Sequence, residues 1–436
     1  MSDVFYRDAK DRYPIAVKAD GMYIWDDAGR AYLDMSGGAA VSCLGHGHPH
    51  VVEALTKQIK QMAFAHTGFF SNEPQERLAE MLSSKFGEKG AKAYFTSGGS
   101  EANETALKMV WQYWRAMGKK GKVKIISRDH SYHGNTLGAL SVSGNPARRE
   151  SMDNILIDWP RIAPCYSYRL QGDDETEIEY GIRAAKSLED TIVKEGADTI
   201  AAFIAEPVVG ASLGVVPAAE GYFKKIREIC DKHNILLIAD EIMCGTGRTG
   251  TFYAHEQDGF IPDIVTLAKG IGGGYQPLAA TVVRKKIADV FMNSTNSFSH
   301  GHTYVGHATA CAAGVAVIEV IDDGCTIDRV NDQGRAFENA LAAEFSSHPN
   351  VGDVRGRGLF YGIEFVMDKN SKEPFPNSGE IAGKLKKSAM QNGLICYPGA
   401  GASAHIMFAP PFILGQDHIE DAVSKLRNVF KEVFNA

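Results

Sequence analysis

ILLIADEIMCGTGRTG, residues 235–250, runs an apolar strand-like segment into two acids and then into Gly245, Gly247 and Gly250, at the spacing G-x-G-x-x-G. A dinucleotide fingerprint needs its glycines directly after the strand and at the start of a helix, with an acid about 20 residues on at the end of the next strand. Here EIMC separates the strand end from Gly245, and TFYAHEQDGF after Gly250 has no helical apolar stripe. Asp263 begins a strand rather than ending one, and Asp240 and Glu241 would set negative charge against a pyrophosphate. The glycines therefore read as turns, and the acids are the informative part.

Working outward, AAFIAEP places Glu206 and ILLIAD places Asp240 each at the carboxyl end of an apolar strand, and DIVTLAK puts Lys269 at the end of a third. In open parallel sheets ligands bind outside the carboxyl ends of the strands, so these three residues are expected to converge on one site. A single one would read as a strand cap. Three in succession, followed by AKGIGGG with its freedom to approach a ligand, read as function. AYFTSGGSEANETALKMVWQYW adds a strand that runs through Gly98, Gly99 and Ser100 into a helix with Ala102, Ala106, Met109, Val110 and Tyr113 on one face. That arrangement makes an anion cradle of backbone N–H groups and helix dipole. Its simpler alternative is a helix capped by Ser97 or Ser100. A phosphate cradle, a carboxylate and a lysine are the parts needed to hold pyridoxal 5'-phosphate. Lys269 would form the Schiff base, as an amine that loses its proton when desolvated. Asp240 would face the pyridine nitrogen and keep it protonated.

The 436 residues are too many for one ordinary core, and 44% hydrophobic with 23% charged residues is an ordinary globular composition. A net charge of -7 without a run of Lys and Arg gives no footprint for nucleic acid or anionic lipid, so small-molecule partners are expected. Seven scattered cysteines without C-x-x-C suggest neither a disulfide framework nor a zinc ribbon. MSDVFYRDAK carries no apolar leader and no apolar run is long enough to span a bilayer, so a cytoplasmic protein off the membrane is expected. GHGHPH (His46, His48, His50) and SHGHTYVGH (His300, His302, His307) contain H-x-H, but without a carboxylate or thiol nearby no metal site is expected.

Residues 1–50 read as strands and loops, with MYIW and AYLDM flanking DDAG. From Val51, helices alternate with the apolar strands AYF (93–95), KIIS (124–127), AAFIA (201–205), ILLIA (235–239), DIVTLA (263–268) and AATVV (279–283). This is the pattern of a mostly parallel sheet covered on both faces. In GYFKKIREICDKHN, Phe223, Ile226, Ile229, Cys230 and His233 form one helical stripe. After about residue 320 the strand GLFYGIEFV, the helix EIAGKLKKSAMQNG closed by Gly393, and the amphipathic HIEDAVSKLRNVFKEVF make a smaller α+β domain. The acidic QGDDETEIEY (171–180) reads as a solvated surface insertion.

In combination and in this order, SGGSEANE, SYHGNT, IAEPVVG, ADEIMCGTGRTG, LAKGIGGGYQPL and HTYVGHA resemble the class III pyridoxal-phosphate aminotransferases, or ω-transaminases. The likeness runs from GHGHP to APPF. It implies an α/β protein of fold type I, with residues 51–320 as the large cofactor-binding domain and residues 1–50 and 321–436 as the smaller one. It implies that Gly99 and Ser100 bind the cofactor phosphate, that Tyr132 stacks on one face of the ring, and that Ile242 packs on the other. Glu206 would lie near the ring hydroxyl and the substrate, and Thr303 would reach the phosphate of the neighbouring subunit. A homodimer, or a dimer of dimers, with sites at the interface follows from the same likeness.

The implied reaction is ping-pong transamination. A small-molecule amine donor displaces Lys269, the freed lysine moves a proton between substrate and cofactor carbons, and a keto-acid acceptor, or an aldehyde, takes the amino group. Decarboxylation, racemisation and amino migration use the same cofactor, while a nicotinamide dehydrogenase or a silent binding protein would lie outside this chemistry. One departure bears on substrate. Many relatives that use amino acids carry an arginine in a segment like R-P-x-G that clamps the substrate carboxylate. The matching segment here is CYPGAGASAHIMFAPP, and no arginine lies between Arg357 and Arg427. His405 offers at most one or two hydrogen bonds there, and Arg148 and Arg149 remain to be placed. The expected acceptor is pyruvate rather than 2-oxoglutarate, with an amine or ω-amino acid as donor.

Overall fold

The computed structural model describes residues 3–7, 13–292 and 297–434, so MSDVFYRDAK falls partly outside the described residues. The strand Leu236–Asp240 is buried at every position, as a run of Leu, Ile and Ala without polar alternation requires of a strand covered on both faces. It pairs in parallel with Ile200–Ala205 on one side and Ile264–Leu267 on the other. Beyond Ile200–Ala205 lie Lys124–Arg128 and the short Arg161–Ile162, both parallel. Beyond Ile264–Leu267 lies Ala279–Val283, antiparallel to it, and then Lys92–Thr96. The seven-stranded sheet is thus mostly parallel with Ala279–Val283 reversed. The connection 268–278 is too short to carry a covering helix back across the sheet, so the chain can only return antiparallel.

The helix Tyr222–Lys232 makes the crossover between two of the parallel strands and buries Phe223, Ile226, Ile229 and Cys230. The helix Gly99–Ala116 buries Ala102, Ala106, Met109, Val110 and Tyr113, and its N-cap is Gly98, with neither Ser97 nor Ser100 in that place. Register brings the parallel strands out level: Ala239 sits opposite Ala205 and Asp240 opposite Thr266. Glu206, Asp240 and Lys269 therefore leave the sheet along one edge.

A second sheet joins Val351–Arg357, Phe360–Phe365, Ala404–Phe408 and Tyr397–Ala400, all antiparallel. The early strand Ala31–Asp34 pairs in parallel with Leu394–Ile395, which ties the start of the chain to its late part. The end of QGDDETEIEY departs from expectation. Thr176 and Glu179 form a reciprocal capping box that opens the helix Glu177–Glu195, and Tyr180 is buried. Acids in a first turn complement the helix dipole, so the end of the run, from Glu177, is a helix start, while residues 171–176 form a mostly exposed loop before it, as expected.

Candidate active site

A cavity of about 310 Å³ opens at the carboxyl edge of the seven-stranded sheet, and its lining includes Gly99, Ser100, Tyr132, Glu206, Asp240, Ile242 and Lys269. Lys269 follows its strand in a left-handed conformation, φ 52°, which costs a non-glycine residue on the order of 1 kcal/mol or more. The turn Lys269–Gly272 that follows holds it there. Its ammonium is buried, and burial lowers its pKa to about 8 against the opposing pull of Asp240 and Glu206. Such an amine is partly neutral at ordinary pH and can both attack and carry a proton.

Asp240 is 3% exposed and held on both oxygens. Its Oδ2 accepts from Asn103 Nδ2 at 2.8 Å and from His133 Nδ1 at 2.7 Å, and Oδ1 accepts from the Ile242 N–H at 3.1 Å. Facing a carboxylate, His133 Nδ1 must be the donor. Asn103 is fixed in turn, donating to the His133 carbonyl at 2.6 Å and accepting from Thr266 Oγ1 at 2.9 Å. Sequence reasoning missed His133 and Asn103. A signal existed for Asn103, a polar residue on the buried face of its helix beside Ala102 and Ala106, where an amide needs partners.

The start of Gly99–Ala116 supplies N–H groups without intrahelical acceptors and the positive end of the helix dipole. A Cβ on Gly99 would lie 2.8 Å from Ile242 Cδ1, so glycine is what lets Ile242 close over the cradle. Ser100 Oγ donates to Asn135 Oδ1 at 3.0 Å and accepts from the Asn135 N–H at 3.1 Å. Glu206 Oε1 accepts from the Tyr132 N–H at 3.3 Å, and Oε2 lies 3.6 Å from Arg128 Nη2. Burial raises the Glu206 pKa, with His133 and Arg128 opposing. Thr303 is not brought to this cavity: it is exposed and lines a separate one with His66, Gln75, Tyr94, His300 and His302.

The stretch after Asp240 coils around Glu241. Its carboxylate accepts from the Ala254 N–H at 2.6 Å and from the His255 N–H and Nδ1 at 2.9 and 2.7 Å. Residues 245–250 form turns and no helix starts among them, so a dinucleotide loop lacks its geometry. His405 does not face the cavity. It is buried, its Nε2 contacts the Ala211 carbonyl at 3.0 Å, and burial lowers its pKa to about 4. Arg149 gives Nη1 to the carbonyls of Leu140, Ser141 and Ser143, and Arg427 pairs with Glu344. Arg148 is exposed, with its guanidinium 5.4 Å from the Tyr132 ring centroid. Lys269 is the cation in the cavity lining, and much of the remaining wall is Val41, Val208, Ala211, Met243 and Leu278.

The aminotransferase class III family model matches residues 5–430. The chain is 41% identical to an uncharacterized aminotransferase of Schizosaccharomyces pombe, over 97% of this chain and 94% of that one. It is 38% identical to gamma aminobutyrate transaminase 3, chloroplastic, of Solanum lycopersicum, over 98% of this chain and 82% of that one. Among solved structures, the (S)-enantioselective ω-transaminase of Thermomicrobium roseum superposes with a TM-score of 0.91 at 36% identity, covering 97% of this chain and 93% of that one. The Pseudomonas jessenii ω-transaminase in complex with PMP gives a TM-score of 0.91 at 32% identity, with the coverage again 97% and 93%.

Proposed function

The chain belongs to the class III aminotransferases, pyridoxal-phosphate-dependent transaminases of fold type I, and from that premise we propose that the cavity at the sheet edge is the active site, with Lys269 and Asp240 as its catalytic residues. The observation that carries this is a buried lysine with its pKa lowered to about 8 in one cavity with a carboxylate and a glycine-rich helix start. The donor set suits the cofactor. Gly99 and Ser100 would hold the phosphate by backbone N–H groups, Asp240 would meet the ring nitrogen, and Tyr132 and Ile242 would flank the ring, with Glu206 beside its hydroxyl. When bound, the cofactor supplies an electron sink for charge at the substrate carbon. Lys269 would hold the cofactor covalently and, once displaced by the amine, take and return a proton at Nζ. Replacement of Lys269 by alanine, with loss of turnover and of the covalent link to the cofactor as the expected result, tests the assignment.

The acceptor in this reading is pyruvate and the donor an amine or ω-amino acid. Support comes from a cavity lining whose cation is Lys269, and from relatives named as gamma aminobutyrate transaminases. A dicarboxylate brings one more carboxylate than pyruvate into a lining that holds no second Lys or Arg, a loss of about 10-fold or more. The ratio of kcat/KM for pyruvate over 2-oxoglutarate is therefore expected to exceed about 10. A preference for 2-oxoglutarate, or for α-amino acids over simple amines, would overturn this choice.

The reading also takes the protein as a cytoplasmic homodimer, with residues 51–320 as the large domain and the two chain ends as the small one. Seven free cysteines support a reducing compartment, and no helix among the described residues is long and apolar enough to cross a membrane. Thr303 would complete the neighbouring subunit's phosphate site. Tyr304 at 59% exposure and Phe69 and Phe70 at 83% and 67% support a covered face there. Thr303→Ala is expected to weaken cofactor retention and dimer association together. A cofactor-saturated monomer in sedimentation would rule this out.

A further inference from the structure

Arg128 ends the strand Lys124–Arg128 and is 1% exposed, with its guanidinium carbon 5.9 Å from the Tyr222 ring centroid and 5.8 Å from that of Phe223. Arginine does not give up its proton in proteins, so a buried one needs a counter-charge. Among the described residues Glu206 is the carboxylate paired with it. Nη2 donates to the Glu206 carbonyl oxygen at 2.6 Å and lies 3.6 Å from Oε2. The two meet because their strands are parallel neighbours. Glu206 lines the cavity with Lys269 and Arg128 does not. Oε2 is buried without a hydrogen-bond partner among the described residues. Oε1 takes a 3.3 Å bond from the Tyr132 N–H, and a carboxylate oxygen with one such bond retains acceptor capacity for a ligand.

We infer that Arg128 is a positioning residue: it holds Glu206 as an anion with Oε2 drawn away from the cavity, and that anion receives the ammonium of the amine donor in preference to the carboxylate of the keto acid. The inference rests on the cavity being the transamination site. The groups around Glu206 are Arg128 on the neighbouring strand, His133 and the Tyr132 N–H on the loop after it, Asp240 and Cys244 at and beyond the next strand end, and Lys269 after the third. Burial pushes the Glu206 carboxyl up, Asp240 adds to that, and His133 and Arg128 pull it down. Of those two, Arg128 carries the charge that does not titrate. Without it, a desolvated carboxyl beside Asp240 takes up its proton at higher pH.

The test compares Arg128→Gln, Arg128→Lys, Glu206→Gln and the Arg128→Gln/Glu206→Gln double variant. Half-reaction kcat/KM is measured for 1-aminobutane and for pyruvate as a function of pH. Arg128→Gln is expected to lower the 1-aminobutane value about 10-fold near neutral pH and move its acid limb up by about one pH unit. Pyruvate is expected to lose much less, Arg128→Lys to recover most of the loss, and the double variant to match Glu206→Gln. A second readout needs no cofactor. A carboxyl whose folded pKa is raised loses stability as pH climbs from its unfolded to its folded value, so unfolding of the cofactor-free Arg128→Gln protein should show a larger loss over that window, absent from the double variant. Equal losses for both substrates with an unmoved pH profile would reduce Arg128 to a structural residue and overturn the inference. So would an Arg128→Gln effect that persists in full beside Glu206→Gln. If Arg128→Gln does not fold, Arg128→Met, which removes the charge but keeps an apolar stem against Tyr222 and Phe223, carries the same comparisons. Flat rates with intact coupling in unfolding would instead count against the cavity assignment.

Discussion

Lys269→Ala is expected to fold, to bind pyridoxal 5'-phosphate without a covalent link, and to turn over at least about 10⁴-fold more slowly than the parent. The residue sits at φ 52° in a turn that does not depend on its side chain, so an alanine there meets the same backbone strain and little more. What is lost is chemical: the buried Nζ with a pKa lowered to about 8, facing the cavity beside Asp240 and Glu206. Borohydride reduction of the parent holoenzyme should fix the cofactor to the peptide that contains Lys269, while the variant should release its cofactor on dialysis. Unfolding of the cofactor-free proteins supplies a further check. A lysine whose folded pKa lies below its unfolded value of about 10.4 binds fewer protons folded than unfolded over that interval. Stability of the parent should therefore rise with pH from about 8 to about 10, and Lys269→Ala should lack that rise. Turnover near the parental rate would remove Lys269 from the chemistry altogether.

Much of this site was legible because the strands that deliver it are covered on both faces. LLIAD and IAAFIA are apolar until the position where the chain leaves the sheet, so the first ionisable residue marks the sheet edge. The Tyr222–Lys232 stripe was equally plain, since one buried face leaves one period in the sequence. The direction of Ala279–Val283 was not, because AATVV presents the same alternation and burial in either sense, and only the short connection decides it. The end of QGDDETEIEY misled because acids in a helix's first turn and acids on a solvated loop, such as those just before it, have the same composition. The network around Asp240 was hidden for another reason. His133 and Asn103 stand 107 and 137 residues from their partner, and no local periodicity links positions so far apart. His405 failed in the opposite way: it stands in the segment expected to face the substrate, yet the imidazole is sealed against the Ala211 carbonyl.

Asp240→Asn is expected to fold and bind cofactor while losing rate on the order of 10³-fold, about 4 kcal/mol of transition-state stabilisation. A carboxylate only accepts, and the three groups pointing at it, Asn103 Nδ2, His133 Nδ1 and the Ile242 N–H, all donate. If the variant's amide oxygen stays with Ile242, its NH₂ meets two donors. Asn103 cannot turn over to accept, because its Oδ1 already takes the Thr266 hydroxyl and its Nδ2 the His133 carbonyl. His133 can, by moving its proton to Nε2, which has no partner among the described residues. One conflict is thus relieved and one remains, a cost of about 1–3 kcal/mol in stability. If the amide flips instead, its NH₂ takes the side of the Ile242 N–H and loses that bond. Either way the negative charge that would keep a ring nitrogen protonated is gone. Loading the variant with a pyridoxal phosphate methylated on the ring nitrogen, which carries its positive charge permanently, separates the two losses. Recovery of most of the rate with the lowered stability unchanged would assign the rate loss to charge. Recovery of neither rate nor stability would assign both to the misplaced amide, and an unmodified variant within about threefold of parental turnover would leave Asp240 as a strand end with no part in the reaction.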